Sequence, residues 1–233
     1  MFVFRDHLDL DPGASRVEIG FTDASLDLQG GDDRPAFAGD LARVVEEAGV
    51  PFARLSQVHG AEVVEVVDEP PRGPAEVPSA DGLVTVRPRT GLMIRTADCV
   101  PVLLADAVSG VIGAAHAGRA GTALGVVPRT AARMRELGAQ RLHAWIGPHV
   151  CGRCYEVPAQ MRAEVAAVVP QTFSETHAGT PALDLGAGVR AQLEAEQVSV
   201  VEVPGCTLED GALHSYRRDG AAAGRLAGLV WRR

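Results

Sequence analysis

The chain contains no lysine and no asparagine, and all 22 of its basic residues are arginine. A P-loop needs a lysine that reaches the phosphates, and a Schiff-base enzyme needs a lysine amine, so the sequence excludes both classes. Aromatic residues make up only 4% of the 233 residues, which disfavours a surface that stacks nucleic-acid bases. The net charge of −8 also disfavours binding to a polyanion. We therefore expect no nucleic-acid partner.

Long apolar runs are absent too, and the first residues do not have the pattern of a signal peptide. Four cysteines are too few for a disulfide scaffold in a chain of this length. We therefore expect a protein of the reducing cytoplasm that does not bind membranes and whose thiols are available to a metal or to catalysis. A monomer is the default expectation.

Hydrophobic residues make up 46% of the chain, which is enough for a large core. Apolar periodicity predicts strands at 52–58, 63–67, 83–86, 92–96, 100–105, 111–115, 143–146 and 198–203. It predicts helices at 35–48, at 122–137 with a kink or break at Pro128, at 161–169 and at 189–197. Since strands and helices alternate irregularly, the sequence favours an α+β fold. We expect a single layered domain over 1–233, with mixed β-sheets flanked by helices.

The segment 98–116 has the pattern of a β-hairpin, with two apolar runs around a polar turn at 106–109. A four-residue turn would place Cys99 directly opposite His116, with their Cβ atoms about 4.5–5.5 Å apart. At that separation the pair suits two ligands of one metal ion. It equally suits a thiol and the imidazole that activates it.

His59 is a third candidate ligand, because it follows the predicted strand 52–58. The intervals between His59, Cys99 and His116 match no local zinc-finger spacing, so a closed structural site is not indicated. Two histidines and one cysteine leave the fourth tetrahedral position open. That arrangement is typical of catalytic zinc.

Several segments, in this order along the chain, resemble the YfiH-like family, which is also called the multicopper polyphenol oxidoreductase (laccase) family. They are Gln57-Val58-His59-Gly60, Ala80-Asp81-Gly82, Thr96-Ala97-Asp98-Cys99-Val100-Pro101, Ala114-Ala115-His116-Ala117-Gly118, Ile146-Gly147-Pro148, Cys154-Tyr155-Glu156-Val157, Leu183-Asp184-Leu185, Cys206-Thr207 and Ser215-Tyr216-Arg217-Arg218-Asp219-Gly220. The resemblance extends over most of the chain.

The resemblance implies a zinc ion on His59, Cys99 and His116, in a CNF/YfiH-like fold. It also implies a purine nucleoside phosphorylase that acts on adenosine, inosine, guanosine and methylthioadenosine with inorganic phosphate. Hydrolytic deamination of adenosine is implied as a second activity. The family has Trp-Arg-Gly after His-Ala-Gly, whereas this chain has Arg119-Ala120-Gly121. The arginine therefore stands one position earlier, and the tryptophan is missing.

Gly118 and Arg119 are the predicted phosphate contacts, because a glycine-rich helix start offers backbone N–H groups to an anion. Asp98 is the candidate general acid or base, since it lies next to a predicted metal ligand. The alternative for Asp98 is a carboxylate that fixes the backbone or supports the ligand.

Three other functions fit part of the pattern. A cysteine hydrolase would use Cys99 as its nucleophile and His116 as its base. A copper polyphenol oxidase needs several copper ions and many histidines, but the chain has only seven, so copper is the less favoured metal. Names used within the family also suggest a peptidoglycan-editing role.

Cys151 and Cys154 form a lone CxxC motif, whereas a zinc site would need a second pair. We interpret them as reduced thiols near the rim of the active site, which oxidation would join in a disulfide. His149 is assigned first to a solvent-exposed loop and second to the pocket. The run Arg217-Arg218-Asp219 is assigned first to a structural salt bridge and second to substrate contact.

Overall fold

The computed structural model describes residues 1–11, 16–30 and 36–232. The strands are β1 (Phe2–Asp9), β2 (Arg16–Thr22), β3 (Phe52–Ala53), β4 (Val63–Glu65), β5 (Gly82–Thr85), β6 (Gly91–Thr96), β7 (Val100–Asp106), β8 (Ile112–Ala117), β9 (Leu142–Ile146), β10 (Phe173–Glu175), β11 (Pro181–Leu183), β12 (Ser199–Glu202) and β13 (Leu226–Arg232). The helices are α1 (Ala36–Ala48), α2 (Arg119–Leu124), α3 (Val126–Glu136), α4 (Ala159–Val168), α5 (Leu185–Ala195) and α6 (Tyr216–Asp219). The predicted α+β class is confirmed.

Two mixed sheets organise these elements. The first sheet has the strand order β1-β2-β13-β6-β3 and the second has the order β12-β9-β7-β8-β5-β4. The pairs β3–β6, β4–β5 and β9–β12 are parallel, and the other pairs within the two sheets are antiparallel. Strands β10 and β11 form a separate antiparallel pair.

Side-chain alternation along the strands stacks the sheets and helices in layers. Leu103 and Ile112 of the second sheet pack against Ile19 and Val230 of the first, which forms the core between the sheets. Helix α1 covers the outer face of the first sheet. Helices α3, α4 and α5 cover the outer face of the second. Cys99 and His116 lie at one end of this core, where β7 begins and β8 ends.

The predicted helices form with altered boundaries. Helix α1 ends at Ala48 as expected, whereas the predicted start at Pro35 lies outside the described residues. The predicted helix 122–137 is broken at Gly125, which has a φ of 78°, and not at Pro128. Pro128 lies in the first turn of α3, where a missing N–H costs no helix hydrogen bond.

The predicted strand 52–58 is shorter than expected, because only Phe52–Ala53 pairs with β6. Beyond it, Ser56 makes an isolated bridge to Ser79 as the chain leaves the sheet. The prediction also missed β1, β2 and β13. Strand β13 joins β2 to β6, and these partners are far apart along the chain.

The central hairpin forms, but the predicted register is wrong. Pro101, and not Cys99, pairs with His116. The connection is longer than four residues because the Asp106 carboxylate accepts N–H bonds from the turn, including one from Ser109 at 2.6 Å. A register shift of two residues keeps side chains on the same face, so Cys99 and His116 remain diagonal neighbours on one side of the sheet.

None of the helices within residues 1–11, 16–30 and 36–232 has the length and apolar character that crossing a membrane requires.

Candidate metal centre

Three separate backbone elements bring the predicted ligands together. Cys99 immediately precedes β7, His116 lies in β8, and His59 lies in the loop between β3 and β4. One donor atom from each residue lies within 4.8 Å of the other two. The Cys99 Sγ is 3.8 Å from Nε2 of His59, and the two imidazole rings meet edge to face with centroids 4.7 Å apart.

The donor set suits a transition-metal ion. Imidazole nitrogen and thiolate sulfur are the donors that zinc and copper prefer. His116 is buried, Cys99 is half-buried and His59 is exposed, so the cluster is open on the side of His59. Three protein donors with one open side leave room for a further ligand.

Asp81, which the sequence analysis did not assign, holds both histidines. Its Oδ1 lies 2.7 Å from Nδ1 of the His116 ring and also accepts the backbone N–H of His59 at 3.0 Å. Its Oδ2 accepts the N–H of Gly60 at 2.7 Å. Because Nδ1 of His116 is engaged, Nε2 is the nitrogen left for a metal. The signal for Asp81 in the sequence is its place directly before β5, which pairs with β8.

Backbone conformation at the site is constrained. His59 has a φ of 61° and Asp98 has a φ of 89°. Non-glycine residues seldom adopt this region, and where they do the surrounding structure must hold them there. Asp81 supplies that support at His59 through the N–H bonds of the loop.

The electrostatics of the cluster favour a charged pair. Burial would raise the pKa of the Cys99 thiol, but hydrogen bonds and positive charge from His116 and His59 outweigh it and lower that pKa to about 6. Burial likewise opposes a charged His116, yet hydrogen bonds to Asp81 and Cys99 raise its pKa to about 9. The lowered pKa of Cys99 favours a thiolate, which fits both metal binding and an activated thiol, whereas His116 would have to release the proton on Nε2 to bind a metal.

Gly118 packs against the cluster. A Cβ placed there would lie 2.7 Å from Cδ2 of His59 and 3.1 Å from Sγ of Cys99. Such distances are shorter than van der Waals contact, so a side chain at position 118 would displace two of the three donors. The glycine therefore permits the close approach of β8 to the ligands.

The cluster lies in the wall of a cleft of about 560 Å³, a volume typical of small-molecule sites. The residues that line this cleft are Gln29, Gly30, Ser56, Gln57, His59, Arg95, Thr96, Ala97, Asp98, Cys99, His116, Tyr155, Tyr216, Arg217 and Arg225. His59, Cys99 and His116, the predicted ligands, thus line one cavity together with Asp98.

Asp98 directs its carboxylate to the surrounding chain. Its Oδ1 accepts the Thr207 hydroxyl at 2.7 Å, and its Oδ2 accepts the backbone N–H of Arg217 at 2.7 Å. The Arg217 guanidinium donates to the carbonyl of Glu156 and lies 4.5 Å from the centroid of the Tyr155 ring. Asp98 therefore ties together the elements that form one wall of the cleft.

Arginines give the cleft positive charge. Burial lowers the pKa of Arg95 to about 10, and the nearby charges of Arg54 and Arg225 add to the effect. Arg95 donates to the carbonyls of Leu28 and Leu55, and Arg225 donates to its own loop. Within the described part of the chain, no carboxylate forms an ion pair with Arg95 or Arg225.

The predicted phosphate contacts lie at the edge of this arrangement. Gly118 and Arg119 are absent from the residues that line the cleft. Arg119 begins the six-residue helix α2, and its charge still acts on the phenol of Tyr155. Arg95 and Arg225 also line the cleft and were not predicted, because no local motif marks them as neighbours.

Other predicted residues lie elsewhere. His149 is half-buried outside the cleft, with its Nδ1 2.8 Å from the carbonyl oxygen of Gly147. Arg218 forms the predicted salt bridge with Asp219 at 2.9 Å, whereas Arg217 lines the cleft. Cys151 and Cys154 lie beside Cys206 in a second cluster.

Comparisons with known proteins identify the family of this chain. The family model described as multi-copper polyphenol oxidoreductase laccase matches residues 12–233. Purine nucleoside phosphorylase SCO2081 of Streptomyces coelicolor is 50% identical, with 92% of this chain and 95% of that protein covered. Purine nucleoside phosphorylase ORF3 of Streptomyces griseus is 52% identical, with 86% of this chain and 83% of that protein covered.

A solved structure has the same fold. YlmD from Geobacillus stearothermophilus superposes with a TM-score of 0.81 at 28% identity, with 97% of this chain and 98% of that chain covered. The family match, the sequence relatives and the fold agree over nearly the whole chain. The chain therefore belongs to the YfiH-like family, described as multi-copper polyphenol oxidoreductase laccase.

Proposed function

We propose that this chain is a zinc-dependent purine nucleoside phosphorylase that converts adenosine, inosine, guanosine or methylthioadenosine and phosphate into the free base and ribose 1-phosphate. The observation that carries the proposal is one cleft of nucleoside size that contains both the three-donor cluster and arginines without carboxylate partners among the described residues. The names of the Streptomyces relatives support the substrate class.

Zinc is the metal we propose on His59, Cys99 and His116. A laccase needs several copper ions with many histidine ligands, and this cluster contains only two histidines. The other histidines have different surroundings. For example, Nε2 of His214 lies 2.9 Å from the carbonyl oxygen of Leu26. A single metal ion with two imidazoles and one thiolate matches a catalytic zinc site better.

Phosphate binding is assigned mainly to Arg95, Arg217 and Arg225. These side chains bring positive charge to one cleft of a chain whose net charge is −8. Phosphate oxygens accept from guanidinium groups in charge-assisted hydrogen bonds, which would offset the repulsion between neighbouring arginines. Arg119 and the N–H groups after Gly118 remain proposed as secondary contacts from the edge of the cleft.

The nucleoside would occupy the part of the cleft lined by Gln29 and two tyrosines, Tyr155 and Tyr216. Oε1 of Gln29 is buried and has no hydrogen-bond partner among the described residues. It therefore suits a donor on the substrate, such as the amino group of adenine or the N1–H of a 6-oxopurine.

In phosphorolysis, a phosphate oxygen forms a bond to the anomeric carbon as the bond from that carbon to the purine nitrogen breaks. The electron pair leaves with the purine, and the proton that phosphate carried ends on the base. Since the transition state resembles an oxocarbenium ion, positioning and charge stabilisation dominate the rate. A bound zinc ion would supply Lewis-acid stabilisation of developing negative charge.

Asp98 is proposed to act by positioning. Both of its carboxylate oxygens accept hydrogen bonds, from Thr207 and from Arg217. A general acid or base needs a free oxygen within reach of the proton it moves. The alternative role from the sequence analysis, a carboxylate that fixes the backbone, therefore has the better geometric support.

Deamination of adenosine is a second proposed activity of the same site. Its support is the open side of the cluster near His59, which leaves a coordination position that protein donors do not fill. Hydrolysis at C6 of adenine would release ammonia and give inosine. The two activities would share the purine pocket and differ in their need for phosphate.

The test is a product analysis of the purified protein with each of the four nucleosides, with and without phosphate. We expect the base and ribose 1-phosphate only when phosphate is present, and inosine from adenosine in either condition. The Cys99→Ala variant is the inactive control. If the zinc-loaded protein released no base from any of the four nucleosides, the proposed phosphorolysis would be overturned.

A further inference from the structure

A second group of side chains that could hold a metal ion lies outside the cluster of His59, Cys99 and His116. The thiols of Cys151, Cys154 and Cys206 and the carboxylate of Glu209 present donor atoms that all lie within 4.8 Å of one another. The three cysteines are half-buried and form no disulfide. The donor group is thus held together although its two halves are more than fifty residues apart in the sequence.

The two halves have the same spacing and similar turns. Cys151-Gly152-Arg153-Cys154 and Cys206-Thr207-Leu208-Glu209 each place two donors three positions apart. In the first turn the carbonyl of Cys151 accepts the N–H of Cys154 at 2.9 Å, and in the second the carbonyl of Cys206 accepts the N–H of Glu209 at 3.1 Å. Paired turns with this donor spacing are typical of structural zinc sites.

Backbone hydrogen bonds hold the two turns against each other. His149 and Cys206 form an isolated parallel bridge, and the N–H of Thr207 donates to the carbonyl of His149 at 3.1 Å. The N–H of Cys151 donates to Sγ of Cys206 at 3.4 Å. The fold therefore holds the two turns next to each other without an ion.

We propose that Cys151, Cys154, Cys206 and Glu209 bind a second zinc ion, with a structural role. Three thiolates and one carboxylate complete four-coordination from the protein alone, so no position is left for substrate. Thiolate sulfur selects zinc over magnesium or calcium. This inference does not depend on the proposed phosphorolysis, because none of the four donors lines the cleft.

The second ion would stabilise the wall of the cleft from behind. Cys154 directly precedes Tyr155, which lines the cleft. Cys206 directly precedes Thr207, whose hydroxyl donates to Asp98 at 2.7 Å. A metal that joins the two turns would therefore hold Tyr155 and Asp98 in place without touching the substrate.

The test is the zinc content of the full-length protein purified under reducing conditions without chelator. We expect two zinc ions per chain in the wild type and one in Cys206→Ser, which retains the catalytic ligands. His177→Ala is the matched control: its ring lies 4.0 Å from Glu209 but outside the donor group, and this variant should keep both ions. A wild-type protein with one zinc per chain, also unchanged in Cys206→Ser, would overturn the proposal.

A second measurement on the wild type covers the case in which Cys206→Ser does not fold. Alkylation mapped by mass spectrometry should find Cys151, Cys154 and Cys206 protected in the zinc-loaded protein and reactive after chelation. Equal reactivity of these thiols with and without zinc would contradict the site. A disulfide between any two of them in the reduced preparation would contradict it too.

Discussion

Oδ1 of Asp81 lies 2.7 Å from Nδ1 of His116, and both groups are almost completely buried. Gly82 of β5 pairs with Ala115 of β8, and the two strands are antiparallel. Asp81 comes directly before Gly82 and His116 directly after Ala115, so this register places Asp81 opposite His116. The same carboxylate oxygen accepts the N–H of His59. One buried side chain thus fixes the ring of one proposed zinc ligand and the backbone of another.

We predict that Asp81→Asn weakens zinc binding about 10- to 100-fold, the usual cost of losing a carboxylate that supports a metal-bound histidine. The amide has nearly the same shape but carries no charge to hold His116. The measurement is the zinc Kd, obtained by competition with a chromophoric chelator.

Asp106→Asn provides the control for this prediction. Asp106 is also fully buried, but it is the last residue of β7, and its carboxylate accepts hydrogen bonds from Val108, Ser109, Gln140 and Arg141 and from no member of the cluster. Its substitution should leave the zinc Kd unchanged. Equal zinc affinities in wild type and Asp81→Asn would show that the carboxylate does not support the metal.

A second prediction concerns Gly118. A Cβ at this position would lie 2.7 Å from His59 and 3.1 Å from Cys99, so Gly118→Ala should displace both donors. Overpacking typically costs about 1–3 kcal/mol, which corresponds to a zinc Kd roughly 10- to 100-fold weaker. Gly39→Ala is the matched control, since a Cβ there has nothing within 4 Å in helix α1. Gly118→Ala with wild-type zinc affinity would contradict the close packing.

The arginines of the cleft give a third prediction. Arg225→Gln should raise the KM for phosphate about tenfold, because one charge-assisted hydrogen bond contributes roughly 1.5 kcal/mol. Arg119→Gln should raise it less, since Arg119 does not line the cleft. Arg129→Gln serves as the control, because the Arg129 side chain donates to the carbonyl of Leu124 and does not line the cleft. If Arg119→Gln raised the KM for phosphate more than Arg225→Gln did, the phosphate site would instead lie at the start of α2.

A fourth prediction is the pH dependence of stability at Asp106. Burial would raise the pKa of this carboxyl, but hydrogen bonds from Ser109, Gln140 and Arg141 lower it below its ordinary value. Since the folded pKa lies below the unfolded one, the stabilisation is complete above about pH 4 and is lost as the pH falls through the folded pKa. Asp106→Asn should therefore cost roughly 2 kcal/mol near pH 7 and progressively less in acid.

Urea unfolding of wild type and Asp106→Asn at a series of pH values measures this difference. The difference in free energy of unfolding should shrink as the pH falls below 4. A difference that stayed constant from pH 7 down to pH 3 would show that the charge on Asp106 does not contribute.

Much of the central fold could be predicted because its signals are local. The segments 92–96, 100–105 and 143–146 are largely buried strands, as their short length and apolar composition indicate. The outer strand β1 alternates between partly buried and exposed residues and pairs with β2, whose other partner is β13 at the far end of the chain. Pairing over such a distance leaves no mark within a short window of sequence.

The site was predictable to a similar degree. The predicted register of the hairpin was wrong by two residues, and yet Cys99 and His116 lie close together. A shift of two residues keeps both side chains on the same face of the sheet. Asp81 and Arg225 acquire their roles only when distant strands and loops pack, and of the two only Asp81 has a signal in the sequence, its place directly before β5. The second turn of the three-cysteine cluster was not predicted, because the donor three positions after Cys206 is Glu209 and not a cysteine, so the sequence shows only one CxxC motif.

The most direct test of the central claim is phosphorolysis of adenosine by wild-type protein from which all metal has been removed with a chelator. The Cys99 thiol and the His116 imidazole are intact in that protein, so a cysteine nucleophile would still act. We predict that adenine release in the presence of phosphate is lost and returns when zinc is added back. Full activity of the metal-free protein would contradict a zinc-dependent phosphorylase at His59, Cys99 and His116.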